Sequence, residues 1–442
     1  MKRWLVVLLV VLALIILVSP GIVGRLAEKN IEDGITWTEA ESPGVTITTE
    51  TFERGWFTSE GRHRVVLEGG QFREASEKYA AATGNAKLPS LIIDTRMDHG
   101  LLPVTSLGRD EGSLTPGLAS TVSSFQVDPG NGETFEIPGA LYSNVGLSGA
   151  SDSRLLLEPG SYDHDGASLQ WEGTDLRIQA DPAARGRAVA GTIDAISLQG
   201  GDIDAGFTSL AITADQSATD YGFNIGSADI ALRDLKFTSG DGSVSMARMG
   251  IKADSEIDDE RVSGQSSFTV SKLTSPTGDV VDVEFQVSIA DFDAQSLGVI
   301  SAALKEVQGA GDPQVAMANL YPSIETDLQT LVRKGMEFNI DELKVSLPQG
   351  LVVTAVAIDV EELPADEAFS WPAVLLNMTA AIDLRLPVAL FDTLATMSPE
   401  AGSLVAMGVL QKDGDDYVME ADYAQGLINV NGAPMPIPIP GM

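Results

Sequence analysis

Residues 227–254, SADIALRDLKFTSGDGSVSMARMGIKAD, contain two runs of strand-like sequence on either side of a Gly-Asp-Gly segment. Glycine and aspartate between two such runs are typical of a turn. Similar runs recur through residues 25–290, separated by Gly, Asp, Asn or Ser at intervals of roughly 10 to 15 residues. This spacing predicts antiparallel strands laid side by side, and the lack of a fixed period argues against a propeller or a solenoid.

The run GRHRVVLEG, at residues 61–69, shows the alternation typical of a strand. His63, Val65 and Leu67 fall on one face of an extended chain, whereas Arg62 and Arg64 fall on the other. The pattern predicts a half-buried strand. It also favours a hydrogen-bonded histidine in the core or at a sheet edge.

The pattern becomes helical near residue 291, where Leu297 and Leu304 lie on one stripe of a helix. A second helix is predicted to begin after the N-cap Asp312, and Pro322 is expected to kink or divide it. Strands and short apolar helices follow. The sequence therefore predicts an N-terminal segment (1–24), a mainly antiparallel β region (25–290), a helical segment (291–336) and a C-terminal β region with short helices and a proline-rich tail (337–442).

The N-terminus begins with Lys2 and Arg3, followed by an unbroken apolar run from Trp4 to Val18. This run spans about 22 Å as a helix, and continuing it to Val23 gives about 30 Å, the thickness of the hydrocarbon core of a bilayer. A cleaved signal peptide and an uncleaved anchor both fit. We favour the anchor because no small-residue cleavage site follows. The basic N-terminus and the acidic body indicate that the body lies outside.

The composition excludes several classes of protein. A hydrophobic content of 44% is too high for a disordered chain. A net charge of -35, with scattered acidic residues, excludes nucleic acid as a partner, because phosphates require basic patches. The absence of cysteine excludes disulfides, thiolate metal sites and a cysteine nucleophile.

No stretch of the sequence carries a recognisable catalytic motif. The three histidines, His63, His99 and His164, lie far apart and lack the spacing of a metal site. The chain has neither a G-x-S-x-G elbow nor a phosphate-binding glycine loop. We therefore expect no catalytic residues, no metal, no cofactor and no enzyme activity. The alternative is a hydrolase without a known motif, in which carboxylates converge on His99 or His164.

Three short motifs occur in a fixed order. The first follows the N-terminal segment and combines Phe52, Gly55, Trp56, Phe57 and Ser59; the second is D-H-G-x-x-P, formed by Asp98, His99, Gly100 and Pro103; the third is formed by Tyr423, Gly426, Asn431 and Gly432. Together these motifs resemble the YdgA-like family of bacterial envelope proteins. The chain is also similar, more distantly, to the AsmA-like group, whose long curved β-sheets are associated with lipid handling.

The resemblance implies an envelope protein anchored in the bacterial inner membrane by residues 4–23, with its body in the periplasm. It supplies no catalytic residues. We expect a mainly β, α+β fold, in which a few helices pack on a long curved antiparallel sheet and one N-terminal helix spans the membrane. A concave apolar face of the sheet suits a lipid or another elongated apolar ligand. The alternative is an adaptor that binds other envelope proteins and holds no ligand.

The motifs also supply candidate contact residues, each with a structural alternative. Gly55 is expected in a turn or bulge conformation that other residues avoid. Of the two aromatic residues after it, one is expected to enter the core and the other to cover the sheet end. A binding role for this pair is the alternative. Asp98 is expected to accept local hydrogen bonds in a turn. The full set is Gly55, Trp56, Phe57, Asp98, His99, Gly100 and Pro103.

The C-terminal tail, APMPIPIPGM, places proline at every second position from Pro434 to Pro440. Polyproline II and a free terminus are two possible forms. We favour a third form, an edge strand whose prolines all lie along the outer edge. Asn431 and Gly432 supply the turn that brings this strand back beside residues 427–430.

Overall fold

The structure is a computed structural model. It describes residues 35–36, 44–68, 87–100, 117–130, 132–164, 166–240, 242–276, 278–309, 313–364, 366, 369–397 and 401–436. The predicted anchor at residues 4–23 lies outside this part of the chain, as does Pro103. Among the described helices, none has both the length and the apolar character needed to cross a membrane.

The described residues form a large antiparallel sheet with a few helices, which confirms the predicted mainly β fold. The strands are β1 (Val45–Arg54), β2 (Thr58–Leu67), β3 (Ser90–His99), β4 (Gly117–Asp128), β5 (Phe135–Gly146), β6 (Ser151–Leu157), β7 (Gly160–His164), β8 (Ala167–Trp171), β9 (Thr174–Asp181), β10 (Gly186–Gly200), β11 (Ile203–Ala218), β12 (Asn224–Ser239), β13 (Gly242–Asp258), β14 (Arg261–Ser275), β15 (Gly278–Asp293), β16 (Met336–Leu347), β17 (Gly350–Val360), β18 (Met378–Pro387), β19 (Gln411–Asp413), β20 (Asp416–Ala424), β21 (Leu427–Val430) and β22 (Ala433–Pro436). The helices are α1 (Ala294–Gly309), α2 (Pro313–Arg333), α3 (Trp371–Leu376), α4 (Val388–Met397) and α5 (Ala401–Ala406).

The chain divides into two compact units. The first consists of Met1–His164, Leu169–Asp194 and Lys305–Ala318; the second consists of Asp165–Ser168, Ala195–Leu304 and Asn319–Met442. In the first unit, strands β1 to β6 pair in chain order and β9 pairs with β6. In the second unit, β11 to β18 pair in chain order, and β20, β21 and β22 follow β18. The four-part domain division and the curvature of the sheet stay predictions.

The stretch 227–254 folds as a hairpin of β12 and β13, as its sequence predicts. Ile230 lies directly opposite Ile251, and Leu232 lies opposite Met249. These cross-strand apolar pairs fix the register, because a slip of one residue would turn every apolar side chain to the other face. Strand β2 follows its pattern in part: His63 is buried and Arg62 and Arg64 are half-buried, but Leu67, predicted on the face of His63, is exposed at the end of the strand.

The helices of residues 294–333 depart from expectation at one position. Pro322 lies inside α2, yet the helix continues unbroken from Pro313 to Arg333. Proline removes one backbone hydrogen bond, which weakens a helix locally. At the other end of α2, Val332 is buried in a cluster with Val360 and Leu363, and Leu331 beside it is also buried. Burial of these side chains stabilises the helix despite the local loss. The expectation that Pro322 divides the helix is therefore wrong.

Asp293 joins both ends of this helical segment. Its Oδ1 accepts hydrogen bonds from the Ser296 backbone N–H at 2.9 Å and the Ser296 hydroxyl at 2.7 Å, which caps α1. Its Oδ2 pairs with the Lys334 ammonium just after α2. Burial raises the pKa of the Asp293 carboxyl, but the hydrogen bonds from Lys334 and Ser296 outweigh it and hold this pKa below its ordinary value. Arg261 donates to the Lys334 carbonyl at 2.7 Å, so the start of β14 also holds the end of α2.

The C-terminal hairpin forms as predicted up to residue 436. Asn431 and Gly432 have φ values of 50° and 78°, which is the conformation a two-residue hairpin turn requires. Strand β22 then pairs with β21, with Pro434 opposite Asn429 and Pro436 opposite Leu427. Residues 437–442 lie outside the described part of the chain.

Candidate functional site

The turn between β1 and β2 displays both aromatic residues of the first motif. Trp56 is 54% exposed and Phe57 is 41% exposed. The expectation that one of them enters the core is therefore wrong. The turn lies beyond the last β1–β2 pair, Arg54 with Ser59.

The turn requires glycine at position 55 because a side chain would not fit there, and not because the residue has an unusual φ. Its backbone N–H donates to the Thr58 carbonyl oxygen at 2.7 Å, which closes the turn tightly. A Cβ at this position would lie 2.7 Å from the same oxygen, closer than carbon and oxygen normally approach. Gly55 is absent from the glycines with positive φ. The predicted turn is thus confirmed, but the glycine permits a close backbone approach instead of a left-handed conformation.

The first two motifs meet at one end of the β2–β3 pair. Asp98 lies opposite Thr58, and the His99 backbone N–H donates to the Phe57 carbonyl oxygen at 2.9 Å. The Ser59 hydroxyl oxygen lies 3.0 Å from His99 Nε2, and both side chains are buried. Residues far apart in sequence therefore hold the exposed turn in place.

Asp98 and His99 are the last residues of β3, so the predicted turn at Asp98 is wrong. Gly100, with a φ of 129°, follows the strand, and its N–H donates to the Leu118 carbonyl at 3.0 Å. Because successive strand side chains point to opposite faces, Asp98 does not face the ring of His99. Strand geometry therefore places Asp98 on the other face of β3 from Ser59 and His99.

The third motif builds the C-terminal hairpin. Tyr423 is buried, and its hydroxyl donates to the Leu375 carbonyl at 2.7 Å. The Asn431 side chain accepts from the Glu420 N–H at 2.9 Å and donates to the Gly408 carbonyl at 3.0 Å. Gly426, with a φ of 80°, occupies the turn between β20 and β21. These contacts give the motif a structural role.

His63 occupies the buried face of β2, as its sequence position predicts. Its Nδ1 lies 3.0 Å from the Thr49 hydroxyl on β1, and only 7% of the residue is exposed. Burial lowers the pKa of the His63 imidazole, because the charged form loses its hydration. The ring therefore serves as a neutral hydrogen-bonded core group.

A continuous line of six apolar side chains crosses strands β11 to β16 of the second unit. Each lies directly opposite the next in the antiparallel register, so all six face the same side of the sheet. All six are half-buried. This apolar row consists of Ile212, Ile230, Ile251, Phe268, Phe285 and Leu343.

A second row lies beside the apolar row, two residues further along β11, and continues to β18 on the same face. Its members on β11 to β14 are small, and those on β15 to β18 are large and branched. They are Ala214, Ala228, Ala253, Ser266, Val287, Ile340, Val356 and Ile382. The two rows together make this face of the sheet apolar over many strands.

The opposite face of the same strands is polar. Asp229 lies between Thr213 and Lys252, and its carboxylate is 3.0 Å from the Lys252 ammonium. Ser267 and Gln286 continue this line and help to form a shallow groove of about 450 Å³. The sheet of the second unit is therefore amphipathic, with one apolar and one polar face.

The family described as "Bacterial protein of unknown function (DUF945)" matches residues 1–438. The chain belongs to the DUF945 family. Protein YdgA of Escherichia coli (strain K12) is 22% identical to this DUF945 protein over an alignment of 320 residues, which covers 67% of the chain and 61% of YdgA. The chain thus spans less than two thirds of the length of that relative. These matches confirm the resemblance that the three motifs predict. No solved structure matches the chain.

Sequence reasoning missed the apolar rows of the DUF945 protein. The sequence does contain a signal for them, because apolar residues occupy every second position of one run, at Ala228, Ile230 and Leu232. Their alignment across six strands depends on register, which single runs do not reveal. Within the described ranges, no group of three or more His, Cys, Asp or Glu side chains is placed to hold a metal.

Proposed function

We propose that this DUF945 protein binds the acyl chain of a lipid along the apolar row of its second unit. The observation that carries the proposal is the line of six half-buried apolar side chains across neighbouring strands. A sheet face of this kind normally packs against a second layer that removes it from water. Half-burial leaves part of each of these side chains accessible to a ligand.

The dimensions of the row suit an acyl chain. Neighbouring strands lie about 4.8 Å apart, so six strands give a row about 24 Å long. One leaflet of a bilayer accommodates acyl chains in half of its hydrocarbon core, about 15 Å. Each buried methylene group contributes about 0.8 kcal/mol, so even partial contact along the row favours binding.

The side chains of the apolar row and the second row suit an acyl chain rather than a lipid headgroup. The row and the second row contain no charged residue, whereas Asp229 and Lys252 lie on the opposite face. An uncharged, unbranched ligand therefore gains contact here without leaving a charge buried and unpaired. The proposal includes no catalytic step.

The proposal places the protein in the bacterial envelope. Residues 4–23 anchor it in the inner membrane, and the acidic body lies in the periplasm, as the apolar run and its basic flank indicate. Retention of the full-length protein in carbonate-washed membranes tests the anchor. A soluble form that begins near residue 25 would show that the segment is a cleaved signal peptide instead.

Lipid binding is tested by mass spectrometry of full-length protein purified from a membrane extract. We expect a co-purifying lipid that is lost in Phe268→Glu. The control is Ser267→Glu, which introduces the same acid on the polar face of the same strand and should retain lipid. Ile230→Thr, a milder change in the row, should weaken binding without unfolding the sheet.

Repeated absence of lipid from the folded parent protein would contradict the proposal. Equal lipid content in the Phe268 and Ser267 variants would also contradict it, because binding would then lie elsewhere. Cross-linking in cells addresses the adaptor alternative. A reproducible protein partner, lost with row substitutions while no lipid is found, would replace lipid binding with the adaptor function.

A further inference from the structure

The β1–β2 turn exposes two large aromatic side chains on a rigid support. Trp56 and Phe57 are 54% and 41% exposed, although the turn is fixed by the Gly55 N–H to Thr58 bond of 2.7 Å and the His99 N–H to Phe57 bond of 2.9 Å. Directly below, the buried Ser59 hydroxyl lies 3.0 Å from His99 Nε2. Backbone hydrogen bonds therefore hold the turn that carries the two aromatic residues.

We propose that Trp56 and Phe57 contact the membrane interface. Tryptophan is enriched at the level of the lipid headgroups, because its ring is apolar and its N–H is a hydrogen-bond donor. The neighbouring Glu53 and Arg54 are exposed, so charged residues flank the apolar tip and remain in water when it inserts shallowly.

The exposed area favours a bilayer over a protein partner. Two aromatic side chains of about 150–250 Å² each, roughly half exposed, offer on the order of 200 Å². A stable protein interface requires about 800 Å² from each partner. A pair of rigid aromatic side chains is too small for such an interface, but it suffices as a second contact for a chain that is already held at a membrane.

The position of the turn in the sequence allows this contact. The inference rests on the proposed anchor at residues 4–23, which holds the chain at the bilayer. The number of residues from 24 to 44 sets an upper limit of about 70 Å on the distance that they can cover, and strand β1 is about 34 Å long. This limit allows the turn at the far end of β1 to reach the same membrane surface.

The absence of cysteine makes a direct test practical. Full-length Phe57→Cys is labelled with a nitroxide and reconstituted in phosphatidylcholine vesicles, and flotation establishes that it is bound. The control is Leu147→Cys, at an exposed turn residue of the same unit. We expect the ratio of oxygen to water-soluble nickel collisions to be several-fold higher at residue 57 than at 147, because oxygen concentrates in the bilayer.

Since Phe57→Cys removes part of the proposed contact, tryptophan fluorescence provides a second measurement. Brominated phosphatidylcholine should quench a larger fraction of the fluorescence in the parent protein than in Trp56→Phe, whereas Trp371→Phe, which also removes an exposed tryptophan, should show a quenched fraction at least as large as that of the parent. A floating protein with residue 57 in water and no quenching of Trp56 overturns this inference alone. A protein that does not float overturns both the turn contact and the anchor. Acyl-chain binding is read separately, by mass spectrometry.

Discussion

At the scale of single residues, Ser59 and His99 explain why two motifs separated in sequence belong to one site. The serine hydroxyl and the imidazole lie 3.0 Å apart in a buried environment, directly under the aromatic turn. A buried polar group that loses its hydrogen bond pays a desolvation cost that an exposed group avoids. We therefore propose that this pair positions the turn.

Ser59→Ala should lower the free energy of unfolding by about 1–3 kcal/mol, because it removes the hydroxyl that contacts His99 Nε2. The matched control is Ser217→Ala, at an exposed position of β11, which should change stability by less than about 0.5 kcal/mol. Urea denaturation measures both variants. Equal stability of the Ser59 variant and the parent would contradict the structural role of this pair.

His63 should make stability depend on pH. Burial lowers the pKa of its imidazole in the folded state, so below the ordinary pKa of about 6.5 the unfolded chain binds more protons. Stability is therefore complete above that pKa and falls as the pH decreases through it. His63→Gln should reduce the loss of stability between about pH 7.5 and 5.5, measured by urea denaturation. If the variant loses as much stability at low pH as the parent, groups other than His63 cause the pH dependence.

At the scale of elements, Asp293 joins the start of α1 to the end of α2. Asp293→Asn retains an N-cap side chain but removes the charge that pairs with Lys334. Asp293→Ala removes both the cap and the charge, so it should lower the free energy of unfolding further. Loss of the cap alone should contribute about 0.5–2 kcal/mol. Thermal unfolding near neutral pH should show the parent as the most stable protein, the Asn variant as less stable and the Ala variant as the least stable. If Asn and Ala are equally destabilised, the cap contributes nothing.

Strands and helices with regular periodicity could be predicted, because their signals are local. Residues 61–69 alternate clearly, and β2 follows. The exposure of Trp56 could not be predicted, because it depends on where the β1–β2 pairing ends. Asp98 resembles a turn residue in sequence, yet pairing with Thr58 holds it in β3. Long-range pairing overrides local preference in both cases, and the same holds for the apolar row.

At the scale of the whole molecule, a large antiparallel sheet requires protection of its edges. An unpaired edge strand offers backbone donors and acceptors to other chains. In the described part of the chain, β22 pairs with β21 at the C-terminal end of the sheet. Pro434 and Pro436 alternate along it, so both lie on the same edge and neither donates a hydrogen bond.

These prolines should prevent chains from associating through β22. Replacing Pro434 and Pro436 with threonine restores two backbone N–H groups on the outer edge and favours strand conformation, so we expect faster aggregation, measured by light scattering. Pro182→Thr, in the exposed turn between β9 and β10, is the control and should leave aggregation unchanged.

Deleting residues 434–442 should also promote aggregation, because β21 would lose its partner. If the double threonine variant remains as soluble as the parent, the prolines do not protect this edge. Hydrogen exchange then gives an independent check, because pairing with β21 requires the Met435 N–H to be protected.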